Sequence, residues 1–168
     1  ADAILKYKDF IEVDYTANYI ASDVLVEVIR DANGTSFVHY TIEPGRISAE
    51  EIDGTYEVRF LLNGRVSDAA GRTVYQFDKD FPLSLTAREL EDIRAQSLSI
   101  QDAFPIVPGT YTFDLLLKNA LSKEFAVAGA TLVVPGPSDR PGLGALLLGY
   151  GAAPARSDPR ERVPFKVG

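Results

Sequence analysis

The only histidine of the chain, His39, lies in the run FVHYT. Histidine titrates near neutral pH and could act as a general base beside a nucleophile. No Gly-x-Ser-x-Gly elbow or other nucleophile signature accompanies it, so His39 is expected to be an ordinary strand residue. Carboxylates are the other groups able to do chemistry. Glu50, Glu51 and Asp53 form one cluster, Asp78 and Asp80 another, and Asp31 with Asn33 falls in the turn-like DANG. Oxygen clusters suit calcium, and DANG has the start of a calcium loop without its twelve-residue pattern and closing glutamate. Two carboxylates facing across a cleft could hydrolyse a glycoside, but no spacing in the chain singles out a pair. No catalytic residue, no metal site and no cofactor is assigned, and the chain is read as not an enzyme.

Cysteine is absent, which removes disulfides, thiolate metal sites and thiol nucleophiles together. Eight tyrosines and nine phenylalanines are present without tryptophan. On the outer face of a sheet Tyr7, Tyr15, Tyr19, Tyr40 and Tyr75 could stack on sugar rings, which makes a carbohydrate-binding accessory module the alternative function. Packing in the core or at an interface is the plainer use of the same rings.

The net charge is −7 over 168 residues. An acidic chain is a poor fit to nucleic acid, whose phosphates draw on clustered Lys and Arg. Its longest apolar runs, such as ALLLGY, are too short to insert across a bilayer. The chain has no methionine. It is therefore expected to be a processed product or an excerpt, and the opening ADA suits the residues that follow signal-peptide cleavage.

Period-2 alternation with β-branched and aromatic residues runs through the first 135 residues, the pattern of strands with one buried face. DVLVEVIR and SFVHYTI flank the Asn33-Gly34 turn signal as a first hairpin, with either Val24, Val26 and Val28 or Leu25 and Ile29 facing inward. TYEVRFLLNGRV and RTVYQFDKDF form a second, with Val58, Phe60, Val74 and Phe77 expected in the core. TYTFDLLLKN and FAVAGATLVV form a third, and AILKYKDFIEVDY adds one or two edge strands. One helix is expected in TARELEDIRAQ, where Thr86 and Glu89 make a capping box. SAEE at 48 to 51 repeats the box with room for a single turn. The fold class is thus all-β, an antiparallel immunoglobulin- or fibronectin III-like sandwich over residues 1–135 with one short helical connection.

Residues 136–168 hold five of the ten prolines and six of the thirteen glycines, and alternation stops there. They read as an extended C-terminal tail or a linker to a following domain. Within it LGALLLGY has no polar face. Leu143, Ala145, Leu146, Leu147, Leu148 and Tyr150 are therefore the candidate partner-binding residues, expected to cover a protein surface on this chain, a second copy or a neighbouring domain.

Gly-Thr-Tyr opens two apolar runs, DGTYEVRFLLNGRV and PGTYTFDLLLKN, which sets Tyr56 and Tyr111 55 positions apart. An immunoglobulin unit needs roughly 100 residues, so the two stretches are read as strands of one sandwich, each led by a buried tyrosine whose hydroxyl bonds back to the backbone. DGTYEVRFLLNGRVSDAAGRTVYQFDKDF and VPGTYTFDLLLKNALSKEFAVAGATLVVP resemble the β-rich region of bacterial GWxTD-domain proteins, over about residues 23 to 150. The Gly-Trp-x-Thr-Asp signature itself is not in this tryptophan-free chain. The resemblance implies an exported, multi-domain envelope protein of unassigned activity. The function expected is a non-catalytic structural or interaction module of a larger secreted or cell-envelope protein. It would bind protein, including itself as a homo-oligomer, by adding a terminal strand to a sheet.

Overall fold

The computed structural model describes residues 18–31 and 33–137. In chain order they form β1 (Ser22–Arg30), β2 (Ser36–Pro44), β3 (Glu50–Ile52), β4 (Thr55–Asp68), β5 (Thr73–Leu85), α1 (Ala87–Gln96), β6 (Ile100–Ile106), β7 (Gly109–Asn119) and β8 (Phe125–Val134). The edge strands expected between residues 3 and 15 lie outside the described residues.

Two antiparallel sheets pack face to face. One has the order β1-β2-β6, and the other runs β5-β4-β7-β8 with the short β3 beside the start of β4. Placing β5 beside β4, away from β6, makes this a fibronectin III-like sandwich. Alternation decides which residues meet between the sheets. Val24, Val26 and Val28 lie opposite Ile42, Tyr40 and Val38 in register and all six face inward. Across from them stand Val58, Phe60, Leu62 and Val66 of β4 and Phe113, Leu115 and Leu117 of β7. Each fully buried side chain of this kind contributes roughly 2 kcal/mol by leaving water.

Gly64 sits among these core positions of β4, paired with Phe77 on β5. The ring of Phe77 lies over the glycine, in the volume a Cβ would fill. Held there, Phe77 stacks on Tyr40 with ring centroids 5.4 Å apart and planes at 14°. Phe104 and Phe113 complete the cluster at 6.3 Å and 5.6 Å from Tyr40. Val74, expected in this core, is instead 52% exposed. The ladder steps from Val66↔Tyr75 to Ser67↔Thr73, so Val74 is the unpaired residue of a bulge and faces out.

The hairpin turns share one construction. Asp31 Oδ1 accepts from the Asn33 and Thr35 amides at 2.9 Å and 2.8 Å, and Asp68 Oδ1 does the same for Ala70 and Arg72 at 2.9 Å and 3.0 Å. Three residues after each aspartate comes a glycine in the left-handed region, Gly34 and Gly71. The DANG carboxylate is therefore occupied by its own turn, which is longer than the two-residue loop that Asn33-Gly34 suggested.

The helix forms as its capping box requires. Glu89 N donates to Thr86 Oγ1 at 3.3 Å, and Thr86 N donates back to Glu89 Oε2 at 2.8 Å. Leu90 is buried beneath it, and α1 connects β5 to β6 across one end of the sandwich. Ser48–Glu51 does not form the second helical turn. Glu50–Ile52 is β3, folded back onto β4 by Asp53 and Gly54 at φ 50° and 82°, the two positive angles of a type I′ hairpin.

The two Gly-Thr-Tyr stretches consequently do different work. In the second, Tyr111 is buried and its hydroxyl donates to Val107 O at 3.2 Å, a tyrosine corner that ties β7 to the loop before it. A Cβ on Gly109 would lie 2.7 Å from that hydroxyl, so the glycine is needed for the ring to turn back. In the first, Gly54 belongs to a hairpin turn and Tyr56 is only half-buried against the core, with no hydroxyl bond to backbone among the described residues. The expectation for Tyr56 fails because a chain that reverses within one sheet has no corner to lock. Tyr111→Phe should lower unfolding free energy by about 1 kcal/mol, the usual net value of one hydrogen bond, with Tyr56→Phe within about 0.5 kcal/mol of zero. Parallel urea titrations of the two variants measure the contrast.

Candidate functional site

Arg30 closes β1 at the end of the sandwich where β8 also finishes. Its Nη2 donates to the carbonyls of Pro135 and Gly136 at 2.9 Å and 3.1 Å. The chain leaving β8, a strand of the larger sheet, is thereby held against β1 at the margin of the smaller one. Val107 and Val133 stand 70% and 66% exposed at this same end. The residues assigned to partner binding, Leu143, Ala145, Leu146, Leu147, Leu148 and Tyr150, follow directly and lie outside the described residues.

The smaller sheet turns a second face away from the core. In register it carries the rungs Ile29–Phe37–Pro105, Glu27–His39–Ala103 and Leu25–Thr41–Gln101. Their side chains point outward because their strand neighbours point in. His39 occupies the middle of this grid, its ring tilted at 52° to that of Phe37 with centroids 6.4 Å apart.

Burial lowers the His39 pKa below its ordinary 6.5. As pH falls through 6.5 the unfolded chain takes up the proton before the folded one. The stability contributed by a neutral His39 is thus full above 6.5 and is lost as pH falls towards the folded value. Asp68, held low by hydrogen bonds from Arg72, Asp80 by its bond from Arg59, and Glu89 by the Thr86 amide all start from 3.8 or 4.5. Their stabilising effect is full above 4.5 and falls away only below it. Melting temperature should therefore decline between pH 6.5 and about 5 in the native chain and stay level over that window in His39→Gln, as thermal melts at constant ionic strength will record.

At the opposite end lies an open cavity of about 450 Å³ lined by Pro44, Gly45, Arg46, Ile47, Ser48 and, from α1 and its cap, Ile93, Arg94 and Ser97. Arg94 donates from Nε and Nη2 to Ile47 O at 3.1 Å and 2.9 Å, which fixes one wall. Behind it is a buried polar network. Glu124 Oε1 accepts from Arg46 Nε at 2.7 Å and Ser48 Oγ at 2.9 Å, while Oε2 accepts from Ser122 Oγ at 3.0 Å. Asn119, 2% exposed, donates to Ser48 O at 2.8 Å and accepts from the Leu121 amide at 3.2 Å. These bonds fasten the β7–β8 loop to the segment entering β3. Sequence reading missed them because the partners stand 76 and 78 positions apart, with no local spacing to link them.

The remaining carboxylates serve the ladder. Asp80 receives Arg59 Nε and Nη2 at 3.1 Å and 2.6 Å, and Asp78 receives the Asn63 amide, both across β4 and β5. Glu50, Glu51 and Asp53 are exposed on β3 and its turn. Asp102 pairs with Lys79 where the edges of the two sheets meet. Among the described residues, Tyr19, Tyr40 and Tyr75 do not assemble into one platform. Tyr40 is 2% exposed, and burial followed by the neighbouring Tyr75 pushes its hydroxyl pKa well up. Tyr19 packs edge-on against Phe125, which pairs with Lys118, whereas Tyr75 is in register through Val66 with Phe113. Five residues of strand, about 17 Å, separate those positions. Tyr7 and Tyr15 lie outside the described residues.

No family model matches the chain, and no curated protein matches it. Among solved structures, a Bacteroides uniformis β-glucuronidase is similar over 69% of this chain and 14% of its own, with 10% identity and a TM-score of 0.45. A β-glucuronidase from glycoside hydrolase family 2 is similar over 68% and 11%, with 14% identity and a TM-score of 0.38. An endonuclease/exonuclease/phosphatase from Beutenbergia cavernae is similar over 67% and 27%, with 14% identity and a TM-score of 0.24. The chain spans 14% or less of the length of these β-glucuronidases.

Proposed function

We propose that the chain is a non-catalytic structural and interaction module of a larger extracytoplasmic protein, and that it binds protein through the apolar run Leu143–Tyr150. The observation that carries this reading is the Arg30 guanidinium, spent on two carbonyls of the departing chain rather than on a carboxylate. Holding backbone in this way fixes where the chain leaves β8. Polar groups elsewhere support the same reading, since of the candidate carboxylates Asp31 takes part in a turn and Asp78 and Asp80 in cross-strand pairs. The cell-envelope setting follows the resemblance to GWxTD-domain proteins.

Removing residues 140–168 is the test. The reading expects a changed oligomeric state or a changed melting temperature when the intact and shortened chains are compared at high and low concentration by light scattering and calorimetry. Identical behaviour of the two at both concentrations would remove the tail from the function. A glycan array addresses the carbohydrate alternative, which keeps only the separately placed Tyr19 and Tyr75, 40% and 42% exposed, among its described rings.

A further inference from the structure

The outer edge of β8 is unguarded. From Ala126 to Val134 the strand carries no charge and no proline, whereas every other sheet edge among the described strands has one or the other. β1 holds Asp23, Glu27 and Arg30, β3 holds Glu50 and Glu51, β5 holds Pro82 with Asp78, Lys79 and Asp80, and β6 holds Pro105 and Asp102. Such groups keep a sheet edge from pairing with other chains. The edge of β8 is also open. Gly129 and Thr131 are exposed, Val133 is 66% exposed, and even the inward-facing Ala128 and Ala130 are only half-buried. β1 runs beside β8 but pairs along its whole length with β2.

Two bonds fix which backbone groups of β8 face outward. Asn119 N donates to Glu124 O at 2.7 Å, so the even-numbered residues bond to β7. Ile20 N donates to Phe125 O at 2.8 Å, so the odd-numbered residues turn their amide and carbonyl away from β7. The Ile20 bond closes one end of the edge, and the Arg30 side chain at Pro135 closes the other. Between these ends Val127, Gly129, Thr131 and Val133 present N–H and C=O to the outside.

We infer that β8 pairs antiparallel with β8 of a second copy, about a two-fold axis through Ala130. The four outward residues lie symmetrically about Ala130. In that register Val127 exchanges both bonds with Val133 of the second copy, and Gly129 with Thr131, so each outward group meets its complement. A strand of another protein has no such match built in. The same register packs Val133, exposed in the single chain, on Val127 of the second copy as a β-branched cross-strand pair. Thr131 falls opposite Gly129, which has no side chain to obstruct it, and an uncharged strand sets no like charges against each other. The inference uses other residues than the tail, so its failure leaves the proposed function standing.

Sedimentation velocity of the full chain in about 0.15 M salt, which screens the net charge of −7, should show a monomer–dimer equilibrium. Thr131→Lys, with its side chain in solvent in the single chain, should weaken the dimer about tenfold or more while leaving the melting temperature of the dilute protein unchanged. Gly129→Pro, which removes an outward N–H and no bond to β7, should weaken it likewise. Amide exchange gives the position of the contact. At Val127, Gly129, Thr131 and Val133 of the native chain it should slow as protein concentration rises. A chain that stays monomeric, or a dimer indifferent to both substitutions, would overturn the inference. Protection of those four amides that is independent of concentration would overturn it too, by giving the edge to a segment of the same chain.

Discussion

Gly64→Ala is expected to destabilise the chain by about 3 kcal/mol, at the upper end of overpacking costs in a filled core. The added methyl would occupy the position of the Phe77 ring, and that ring cannot give way cheaply. It is stacked on Tyr40 and lies 6.1 Å and 6.4 Å from Phe104 and Phe113, which themselves bridge the two sheets. The effect should therefore depend on the ring. In a Phe77→Ala background, already weakened by its cavity, the further cost of Gly64→Ala should shrink to about 1 kcal/mol or less, the coupling that a double-mutant cycle detects between touching groups. Urea unfolding of the four proteins gives all the terms. Additive costs would show that the glycine is required for some reason other than the seat it provides for Phe77.

Asn119→Ala carries the second large expected effect, about 2 kcal/mol. Its amide donates to Ser48 O and its oxygen accepts from Leu121 N, with Asn119 itself 2% exposed and both partners part-buried. Alanine removes both bonds and leaves a part-buried carbonyl and a part-buried amide without these partners, each at a cost of roughly 1 kcal/mol or somewhat more. Ser122→Ala should be far milder, since Glu124 keeps Arg46 and Ser48 as donors. Equal losses in the two variants would contradict the central place given to Asn119. The loss in Asn119→Ala should also loosen the segment entering β3, visible as faster amide exchange in Ile52 and Thr55.

Local features were legible in the sequence and long-range ones were not. The three hairpins and α1 follow from alternation, turn residues and a capping box, all decided within a dozen positions. Thr86 and Glu89 bond as their spacing demands, whereas the same spacing at Ser48 and Glu51 yields a strand because the Asp53-Gly54 turn offers β3 a partner on β4. Val74 has the alternation of a core residue until one bulge shifts it outward. The twin Gly-Thr-Tyr stretches look alike over three residues and differ by what precedes them. Val-Pro at 107 and 108 delivers the chain to a corner between strands, and Ile-Asp at 52 and 53 delivers it to a hairpin.

The candidate site shows the same division. A run of apolar residues without a polar face announced a segment needing cover, but no pattern in the sequence could name what it covers. The outward rungs of β1, β2 and β6 are polar enough in sequence, with Glu27, His39, Thr41 and Gln101, to pass for a solvated face. Only their low exposure singles them out. The arginine that aims the tail is likewise one of many charged residues until its two carbonyl partners, 105 and 106 positions away, are seen.

The central claim, that the chain binds protein through residues 143–150, is tested most directly by comparing the intact chain with one carrying Leu146→Asp and Leu147→Asp, by sedimentation and by thermal melts over a range of concentrations. The account predicts that the two aspartates change the association state or the melting temperature. Identical sedimentation and melting of the two proteins at every concentration would contradict it.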